Sequence, residues 1–372
     1  MNPFLFGSVV KGDCFFDREE ISKQIIDTLG GGNNIVLYAP RRFGKTSMVF
    51  NIIEQMEKQG FICIYFDFMS IYSVESFIRS YTKVIASKQS NIQKFTQTLA
   101  SIFKGIRPSF TVSADGKTEL SLDFEGSKID EIGISQLLDM TETLGSSKKR
   151  VLVFFDEFQE VIKLEGLNFE NLLRSKIQQQ GNTNYLFFGS KTHLLNEIFN
   201  DKRRAFYESS AQMTLGPLPE KETISFLQKK FKKSSLELDK DSARYLIDTA
   251  GNIPHYIQFL ASEVWQQLVG SSKKITKAVI DSCAERVIAH KSDYYMELFD
   301  RQSSSKKQFL QALTRGGKNI FSTEYMRAAG FKTMSTMQRA VYDLIADGTV
   351  EKADGEYFIA DPFFKRFVQT TM

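Results

Sequence analysis

Residues 39–46, which read Ala-Pro-Arg-Arg-Phe-Gly-Lys-Thr, have the composition of a loop that binds phosphate. They follow the apolar run Ile35–Tyr38, which predicts a strand, and they precede a stretch that predicts a helix. Backbone N–H groups around Gly44 can surround a phosphate, Lys45 can reach the terminal phosphates, and Thr46 can offer a hydroxyl to Mg²⁺. The sequence therefore predicts a nucleoside triphosphate as ligand. The predicted binding residues are Ala39, Pro40, Arg41, Arg42, Phe43, Gly44, Lys45, Thr46 and Ser47.

The loop departs from the strict pattern G-x-x-x-x-G-K-[ST] at one position, because Ala39 stands where the first glycine belongs. Alanine adopts positive φ poorly, so the first turn of the loop is expected to use a conformation that is open to L-residues. The alternative is a chance Gly-Lys-Thr at the start of a helix. The strand before the loop and the helix after it favour the phosphate-binding interpretation.

A pair of carboxylates, Asp156 and Glu157, follows the apolar run Val151–Phe155. At the carboxyl end of a strand, Asp156 can hold Mg²⁺ directly or through water, and Glu157 can orient and deprotonate an attacking water. The alternative is a buried strand that ends in a solvated acidic turn. The presence of a phosphate loop in the same chain favours the catalytic interpretation.

Polar residues also follow the later predicted strand Tyr185–Phe188 and precede the strand near Met213. If the former strand lies between the first and third, Ser190 is expected to face the γ-phosphate and the attacking water. Arg203 and Arg204 can approach the γ-phosphate of the same or a neighbouring subunit as an arginine finger, and Arg204 is the candidate catalytic residue. The alternatives are an ordinary Gly-Ser loop and a solvated basic helix end.

Two short segments are candidates for contact with the nucleoside base. Phe15 and Phe16 precede the first predicted helix and can cover an adenine, although the acidic residues beside them are also typical of helix capping. Pro254 joins two predicted helices and can close over the base. His255 can meet a phosphate, and a structural role at the start of a helix is its alternative.

Composition sets limits on the other classes of function. The 372 residues suggest two or three domains, and 42% hydrophobic with 25% charged residues is ordinary for a soluble globular protein. The formal net charge of +4 is too small to argue for nucleic acid by itself. The whole excess lies in residues 301–372, which hold 11 Lys/Arg and 7 Asp/Glu.

The cysteines and histidines are too scattered for a disulfide framework or a thiolate or imidazole metal site. The N-terminus shows no signal peptide, and no apolar run approaches the roughly 20 residues that span a bilayer. No membrane partner is expected, and a cytoplasmic location is predicted. The residues concerned are Cys14, Cys63, Cys283, His193, His255 and His290.

Strands and helices alternate over residues 1–216, and the strands are continuous apolar runs, which is typical of a parallel sheet buried on both faces. The fold class is therefore α/β. Segments 110–113 and 119–123 flank a turn sequence, which predicts a β-hairpin insertion at about 105–126. The predicted helices are 18–29, 46–59, 74–87, 168–180 and 193–200, and the predicted strands are 35–38, 61–68, 151–155, 185–188 and 213–215.

From residue 217 onward apolar residues recur at three- and four-residue spacing, which predicts a helical lid over 217–300. Residues 301–372 then predict three helices and a hairpin, the pattern of a winged helix-turn-helix, with Ser322 as a helix N-cap and Gly330 ending that helix. The predicted lid helices are 220–232, 239–250, 255–269 and 274–290. The predicted winged-helix elements are helices 306–314, 322–329 and 333–347, and a hairpin over 350–359.

Together these motifs resemble the archaeal-type ATPases of the STAND branch of the AAA+ P-loop superfamily, and the resemblance covers nearly the whole chain. It implies a five-stranded core of order 5-1-4-3-2, a helical lid and a C-terminal winged helix. It also implies ATP and ADP as ligands and a switch between an ADP-closed and an ATP-open state. The segments that carry it are Phe16–Glu19, Ala39–Thr46, Phe154–Glu157, Phe188–Ser190 and Gly251–Pro254.

Carried over by position, Lys45 and Thr46 bind phosphate and Mg²⁺, and Asp156 also binds the Mg²⁺. Glu157 activates water. In the same way Ser190 matches the sensor position and Pro254 the lid proline. Ala39 replaces the usual glycine, which leaves the geometry of the loop as an open question.

Two functions of different classes follow. The first is an ATP-binding, slowly hydrolysing molecular switch, with a nucleotide-dependent homo-oligomer or a protein as partner. The alternative is a DNA-binding regulator in which ATP acts through the winged helix. Its predicted recognition helix, 333–347, offers Arg339 but also Asp343 and Asp347, so DNA is not the favoured partner. A metabolic kinase is a weaker third option.

Overall fold

The computed structural model describes most of the chain. It covers residues 2–10, 15–16, 18–89, 91–103, 107–112, 118–123, 130–164, 168–271, 274–353 and 355–371. Asp17, Cys14 and the predicted hairpin turn at 114–117 lie outside these residues. None of the described helices is long and apolar enough to cross a membrane.

The chain folds into two units, each made of segments that are distant in sequence. One contains Met1–Glu19, Ala39–Ser47 and Leu215–Met372, and the other contains Glu20–Tyr38 and Met48–Thr214. The predicted phosphate loop therefore groups with the C-terminal helices, and the strand ends at Asp156 and Ser190 group with the sheet.

A parallel sheet of five strands forms the second unit, in the order β2-β5-β6-β1-β7. When the two hairpin strands are left out of the count, this is the predicted order 5-1-4-3-2. The prediction of a fully buried sheet is confirmed for β1, β5 and β6, in which every residue is buried. The strands are β1 (Ile35–Tyr38), β2 (Ile62–Asp67), β3 (Arg107–Val112), β4 (Thr118–Asp123), β5 (Val151–Asp156), β6 (Thr183–Gly189) and β7 (Ala211–Thr214).

Aromatic side chains fill the layer between this sheet and its helices. Phe155 contacts Phe66, Tyr81 and Phe187, with ring centroids 5.9, 6.2 and 5.9 Å away. Such rings bury large apolar areas, so they contribute strongly to the stability of the core. The helices are α1 (Glu19–Gly30), α2 (Lys45–Lys58), α3 (Val74–Ala86), α4 (Ile92–Ile102), α5 (Glu131–Leu144), α6 (Phe169–Gln179) and α7 (Thr192–Asn200).

The predicted hairpin insertion is confirmed, because β3 and β4 pair antiparallel with Arg107 opposite Asp123. Its first strand begins three residues earlier than expected. The helices on either side of the hairpin, α4 and α5, were not predicted from the sequence. Both begin at side-chain caps, since Asn91 accepts from the Lys94 N–H at 2.9 Å and Asp130 from the Gly133 N–H at 2.8 Å.

The other unit is mainly helical, as predicted. Two of its helices, α12 and α16, were not predicted, and α11 begins three residues later than expected, behind a short strand. The helices are α8 (Glu220–Lys232), α9 (Lys240–Thr249), α10 (Pro254–Leu268), α11 (Lys277–His290), α12 (Ser292–Asp300), α13 (Ser304–Leu313), α14 (Thr323–Ala328), α15 (Met334–Ala346) and α16 (Pro362–Thr370), and the strands are β8 (Glu237–Leu238), β9 (Lys274–Ile275), β10 (Val350–Ala353) and β11 (Glu356–Ile359).

The winged helix is formed by α13, α14, α15 and the antiparallel hairpin β10–β11. Ser322 is the N-cap of α14, as predicted, and accepts the Tyr325 N–H at 3.1 Å. Gly330 follows α14 with φ +77°, a conformation that favours glycine at the end of a helix.

Candidate nucleotide-binding site

The phosphate loop is closed by its own lysine. Lys45 is buried, and its Nζ donates to the carbonyl oxygens of Ala39 and Pro40 at 2.9 Å each. Ala39 is not among the described residues with positive φ, which agrees with the expected first turn. The positive-φ residues of the loop are Arg42, at 68°, and Gly44, at 82°. The left-handed backbone therefore falls in the middle of the loop, where one of the two residues is not a glycine.

Arg18 fastens the loop from the N-terminal segment. It is only 9% exposed, and its guanidinium donates to the carbonyl oxygens of Phe43 at 3.3 Å, Gly216 at 2.9 Å and Pro217 at 3.5 Å. The Val10 N–H also donates to Ser47 Oγ at 2.9 Å. Arg18 belongs to a predicted motif, but the sequence assigned it no role. A buried arginine has to satisfy its donors, but the burial of Arg18 is seen only in the structure, so the sequence held no signal for this role.

Arg42 connects the loop to the start of α10. Its carbonyl oxygen accepts the His255 N–H at 3.3 Å, and its guanidinium lies 4.8 Å from the Tyr256 ring centroid and 3.8 Å from Asp361. Pro254 is the first residue of this helix. Burial lowers the pKa of His255 to about 4, and the charges of Arg42 and a neighbouring lysine act in the same direction, so the imidazole is neutral near pH 7.

Glu351, on the hairpin strand β10, contacts the phosphate loop. Its Oε2 and Oε1 lie 3.0 and 3.2 Å from the backbone nitrogen of Arg41, which donates to them. Burial raises the pKa of Glu351 to about 7, against the opposing effects of Lys45 and Arg41. No sequence motif marks Glu351, because the contact joins residues 310 positions apart.

In the sheet unit, Asp156 is buried at the carboxyl end of β5. It accepts the Tyr65 hydroxyl at 2.6 Å and the Glu157 N–H at 2.8 Å. Burial raises the pKa of Asp156 to about 6, and the charges of Glu157 and Asp67 act in the same direction. The register places Asp67, at the end of β2, directly opposite Asp156. Three carboxylates thus come close together at this end of the sheet.

Glu157 and Ser190 are brought together, as expected for strands that are neighbours in the sheet. Glu157 Oε2 accepts both the Ser190 N–H at 3.2 Å and the Ser190 hydroxyl at 2.9 Å. Glu157 itself has φ +49°, which turns the chain sharply after β5 into a short 3₁₀ helix, Phe158–Lys163. Its side chain also accepts a short hydrogen bond from Gln159 Nε2.

The two candidate arginines are held in ion pairs. Arg204 lies 2.5 Å from Glu170 and 3.6 Å from Glu197. Arg203 is largely exposed and pairs with Asp201 at 2.7 Å. The ring of Phe16, a candidate for contact with the base, is stacked on the ring of Phe226 of α8, with the ring centroids 3.7 Å apart.

The oxygen donors of these segments fit magnesium. Among the described residues, no group of three or more His, Cys, Asp or Glu is arranged to hold a metal alone. Mg²⁺ prefers few protein ligands, usually one or two oxygens, with phosphate and water completing its shell. Within its own unit, the buried Asp156 carboxylate at the end of β5 has the chemistry of such a ligand, and in the other unit the Thr46 hydroxyl does too.

The parallel sheet, the Gly-Lys-Thr loop after β1 and the Asp-Glu pair at the end of β5 define a P-loop ATPase fold of the AAA+ type with a winged helix domain. A family model described as "ATPase domain predominantly from Archaea" matches residues 15–260, and the chain belongs to this family. A second model, described as "Probable winged helix domain", matches residues 293–370. No curated protein matches the chain.

Two solved structures share the fold over nearly the full chain. A Walker-type ATPase of Pyrococcus abyssi has a TM-score of 0.67 at 18% identity, covering 99% of this chain and 100% of that chain. The Aeropyrum pernix ORC2 protein, solved as ADPNP–ADP complexes, has a TM-score of 0.51 at 12% identity, with 95% and 93% covered. At these identities the likeness concerns the fold alone.

Proposed function

We propose that this protein binds ATP, hydrolyses it slowly and acts as a nucleotide-controlled molecular switch. One observation carries the proposal: the Glu351 carboxylate is hydrogen-bonded to the Arg41 amide of the phosphate loop. A loop whose backbone amide already donates to a carboxyl group suits a phosphate, and this carboxyl group belongs to the winged helix. The same contact would therefore connect the ligand to the winged helix.

In this proposal Lys45 and the backbone amides of residues 41–47 bind the phosphates, and Pro254 closes over the base. Thr46 and Asp156 hold Mg²⁺, which when bound neutralises charge on the phosphate oxygens. The nucleotide core is residues 1–216, the lid 217–300 and the winged helix 301–372.

Hydrolysis in this proposal uses Glu157 as the general base. A water oxygen forms a bond to the γ-phosphorus while the bond to the β–γ bridging oxygen breaks, giving ADP and phosphate. Glu157 accepts the proton of that water. Ser190 is hydrogen-bonded to Glu157 and helps to orient the Glu157 carboxylate. Arg204 is proposed as the finger, and it would have to leave Glu170 to reach a phosphate.

Nucleotide binding is tested with Lys45→Ala, which we expect to abolish ATP binding because it removes the cation of the loop. Lys58→Ala, an exposed lysine paired with Glu54 at the end of the same helix, is the matched control. Isothermal titration with ATP and Mg²⁺ should show binding for the parent and the control only. Unchanged affinity in Lys45→Ala contradicts the proposal.

The switch is tested by the behaviour of the hairpin β10–β11 in the two nucleotide states. We expect the terminal phosphate of ATP to displace Glu351 from Arg41, so amide exchange over 350–359 should be faster with a non-hydrolysable ATP analogue than with ADP. Mass measurement in the same two states reports whether a homo-oligomer forms. Equal exchange in both states contradicts the switch.

A DNA-binding regulator is the second candidate, because the positive excess of the chain lies in residues 301–372. Arg339 and Tyr342 are exposed on α15, the helix that would enter a groove. A salt titration of binding to random duplex DNA tests this function, since contacts with backbone phosphates give a steep negative slope. A flat response excludes it.

A further inference from the structure

We infer that Gln159 is a positioning residue for hydrolysis, which holds the Glu157 carboxylate in a fixed orientation by donating a hydrogen bond to it. This inference rests on the proposed function of Glu157. Gln159 is 1% exposed and lies within the 3₁₀ helix that follows β5. It was not among the residues that the sequence singled out.

Three donors converge on one oxygen of the Glu157 carboxylate. They are Gln159 Nε2, the Ser190 N–H and the Ser190 hydroxyl, and all three meet Oε2. These bonds fix the torsion of the carboxylate and leave Oε1 as the oxygen that receives none of the three. A general base works only when the accepting oxygen is held within hydrogen-bond reach of the water.

The orientation of the Gln159 amide follows from its neighbours. A carboxylate only accepts hydrogen bonds, so the NH₂ group of Gln159 has to face Glu157. The amide oxygen of Gln159, its Oε1, therefore faces away from Glu157. In that position Gln159 Oε1 is buried without a hydrogen-bond partner among the described residues. An unpaired buried oxygen costs free energy of folding. The position of this amide is therefore better explained by the hydrogen bond that its NH₂ group donates to Glu157 than by a contribution to the stability of the fold.

Gly189 makes room for this arrangement. A Cβ at position 189 would lie 1.9 Å from Gln159 Oε1 and 3.0 Å from its Cδ. Gly189 does not have positive φ, so its backbone does not require glycine. The Gly-Ser sequence at the end of β6 thus has two parts: the serine donates to Glu157, and the glycine leaves space for the amide that also donates to it.

A double-mutant cycle tests the inference. We expect Gln159→Leu to lower the single-turnover rate of ATP hydrolysis about tenfold, with the Kd for ATP within about twofold of the parent. In a Glu157→Gln background the same change should have no further effect, because the residue acts through Glu157. If Gln159→Leu does not fold, Gln159→Met keeps the length of the side chain and tests the same loss of a donor.

Gly189 supplies a second, independent arm. We expect Gly189→Ala to lower the rate in the parent, where the new methyl group displaces the amide, and to have a clearly smaller effect in Gln159→Ala, where the Glu157 Cα, 3.3 Å from the added Cβ, is the close neighbour that remains. A rate for Gln159→Leu within about twofold of the parent overturns the inference, as does an undiminished effect in the Glu157→Gln background. If Glu157→Gln itself hydrolyses ATP at the parent rate, the proposed function fails instead.

Discussion

The carboxylate of Glu351 accepts the backbone N–H of Arg41, with Oε2 3.0 Å and Oε1 3.2 Å from the nitrogen. One residue belongs to the winged-helix hairpin and the other to the middle of the phosphate loop. An acidic side chain thus occupies a donor of a loop whose composition suits phosphate. In the proposed switch, the hairpin and a terminal phosphate would compete for this one amide.

Removing this carboxylate should strengthen nucleotide binding. We expect Glu351→Ala to bind ATP about three- to tenfold more tightly, because hydrogen bonds to charged groups contribute about 1.5–3 kcal/mol and part of that is lost to competition. Glu356→Ala, on the neighbouring strand and 4.0 Å from Lys318, is the control. Equal tightening by both variants, or by neither, contradicts the competition.

The stability of the protein should also depend on Glu351 through pH. Its folded-state pKa of about 7 is raised above the ordinary glutamate value of 4.5. The folded protein therefore holds this proton in a range where the unfolded chain has lost it. Its contribution to stability is highest below about pH 4.5 and falls as the pH rises to about 7. In urea unfolding, the unfolding free energy of Glu351→Gln minus that of the parent should be larger at pH 8 than at pH 5. A constant difference between the two proteins excludes this assignment.

Arg18 should matter for the order of the phosphate loop. Arg18→Gln removes the buried guanidinium that donates to Phe43, Gly216 and Pro217. We expect a loss of about 2 kcal/mol in unfolding free energy and weaker ATP binding, because buried carbonyl groups lose a charged donor. Arg327→Gln, in the last turn of α14, is a surface control. An Arg18 variant with parental stability and affinity would show that the loop does not depend on this clamp.

The Asp156 carboxylate should set the acid limit of hydrolysis. Its pKa is raised to about 6, and the Tyr65 hydroxyl opposes that shift. Mg²⁺ binds the ionised form, so the magnesium-dependent rate should fall as the pH drops below about 6. Tyr65→Phe removes the hydroxyl and should move this limb to higher pH. If the rate of Tyr65→Phe falls at the same pH as the rate of the parent, ionisation of Asp156 does not set the pH dependence.

The fold was largely predictable because its signals are local. Apolar runs predicted all five strands of the sheet, and the structure confirms the strand order that the family resemblance implied. Three of the helices that were not predicted begin at side-chain caps, which are Asn91 of α4, Asp130 of α5 and Asp361 of α16, whereas α12 begins without one. Asp361 also precedes a proline at the start of the helix, which is a sequence signal for a helix N-terminus.

The site was only partly predictable, because its supporting residues are distant in sequence or carry no motif. Strand order predicted that Ser190 lies at the same edge of the sheet as the Asp-Glu pair, but its hydrogen bond to Glu157 is seen only in the structure. The contact of Glu351 with Arg41 spans 310 positions, and no local pattern encodes it. Gln159 is close to the Asp-Glu motif, but its hydrogen bond to Glu157 and its fit beside Gly189 are seen only in the structure.

The central claim is that ATP is hydrolysed with Glu157 as the base, and a single-turnover measurement tests it most directly. Parent protein and Glu157→Gln, each in excess over radiolabelled ATP and Mg²⁺, are compared for bound ATP and for phosphate formed over time. The proposed mechanism predicts equal ATP binding and a phosphate-formation rate at least about a hundredfold lower in the variant. Equal rates of phosphate formation in the two proteins, or no phosphate formed by the parent, would contradict it.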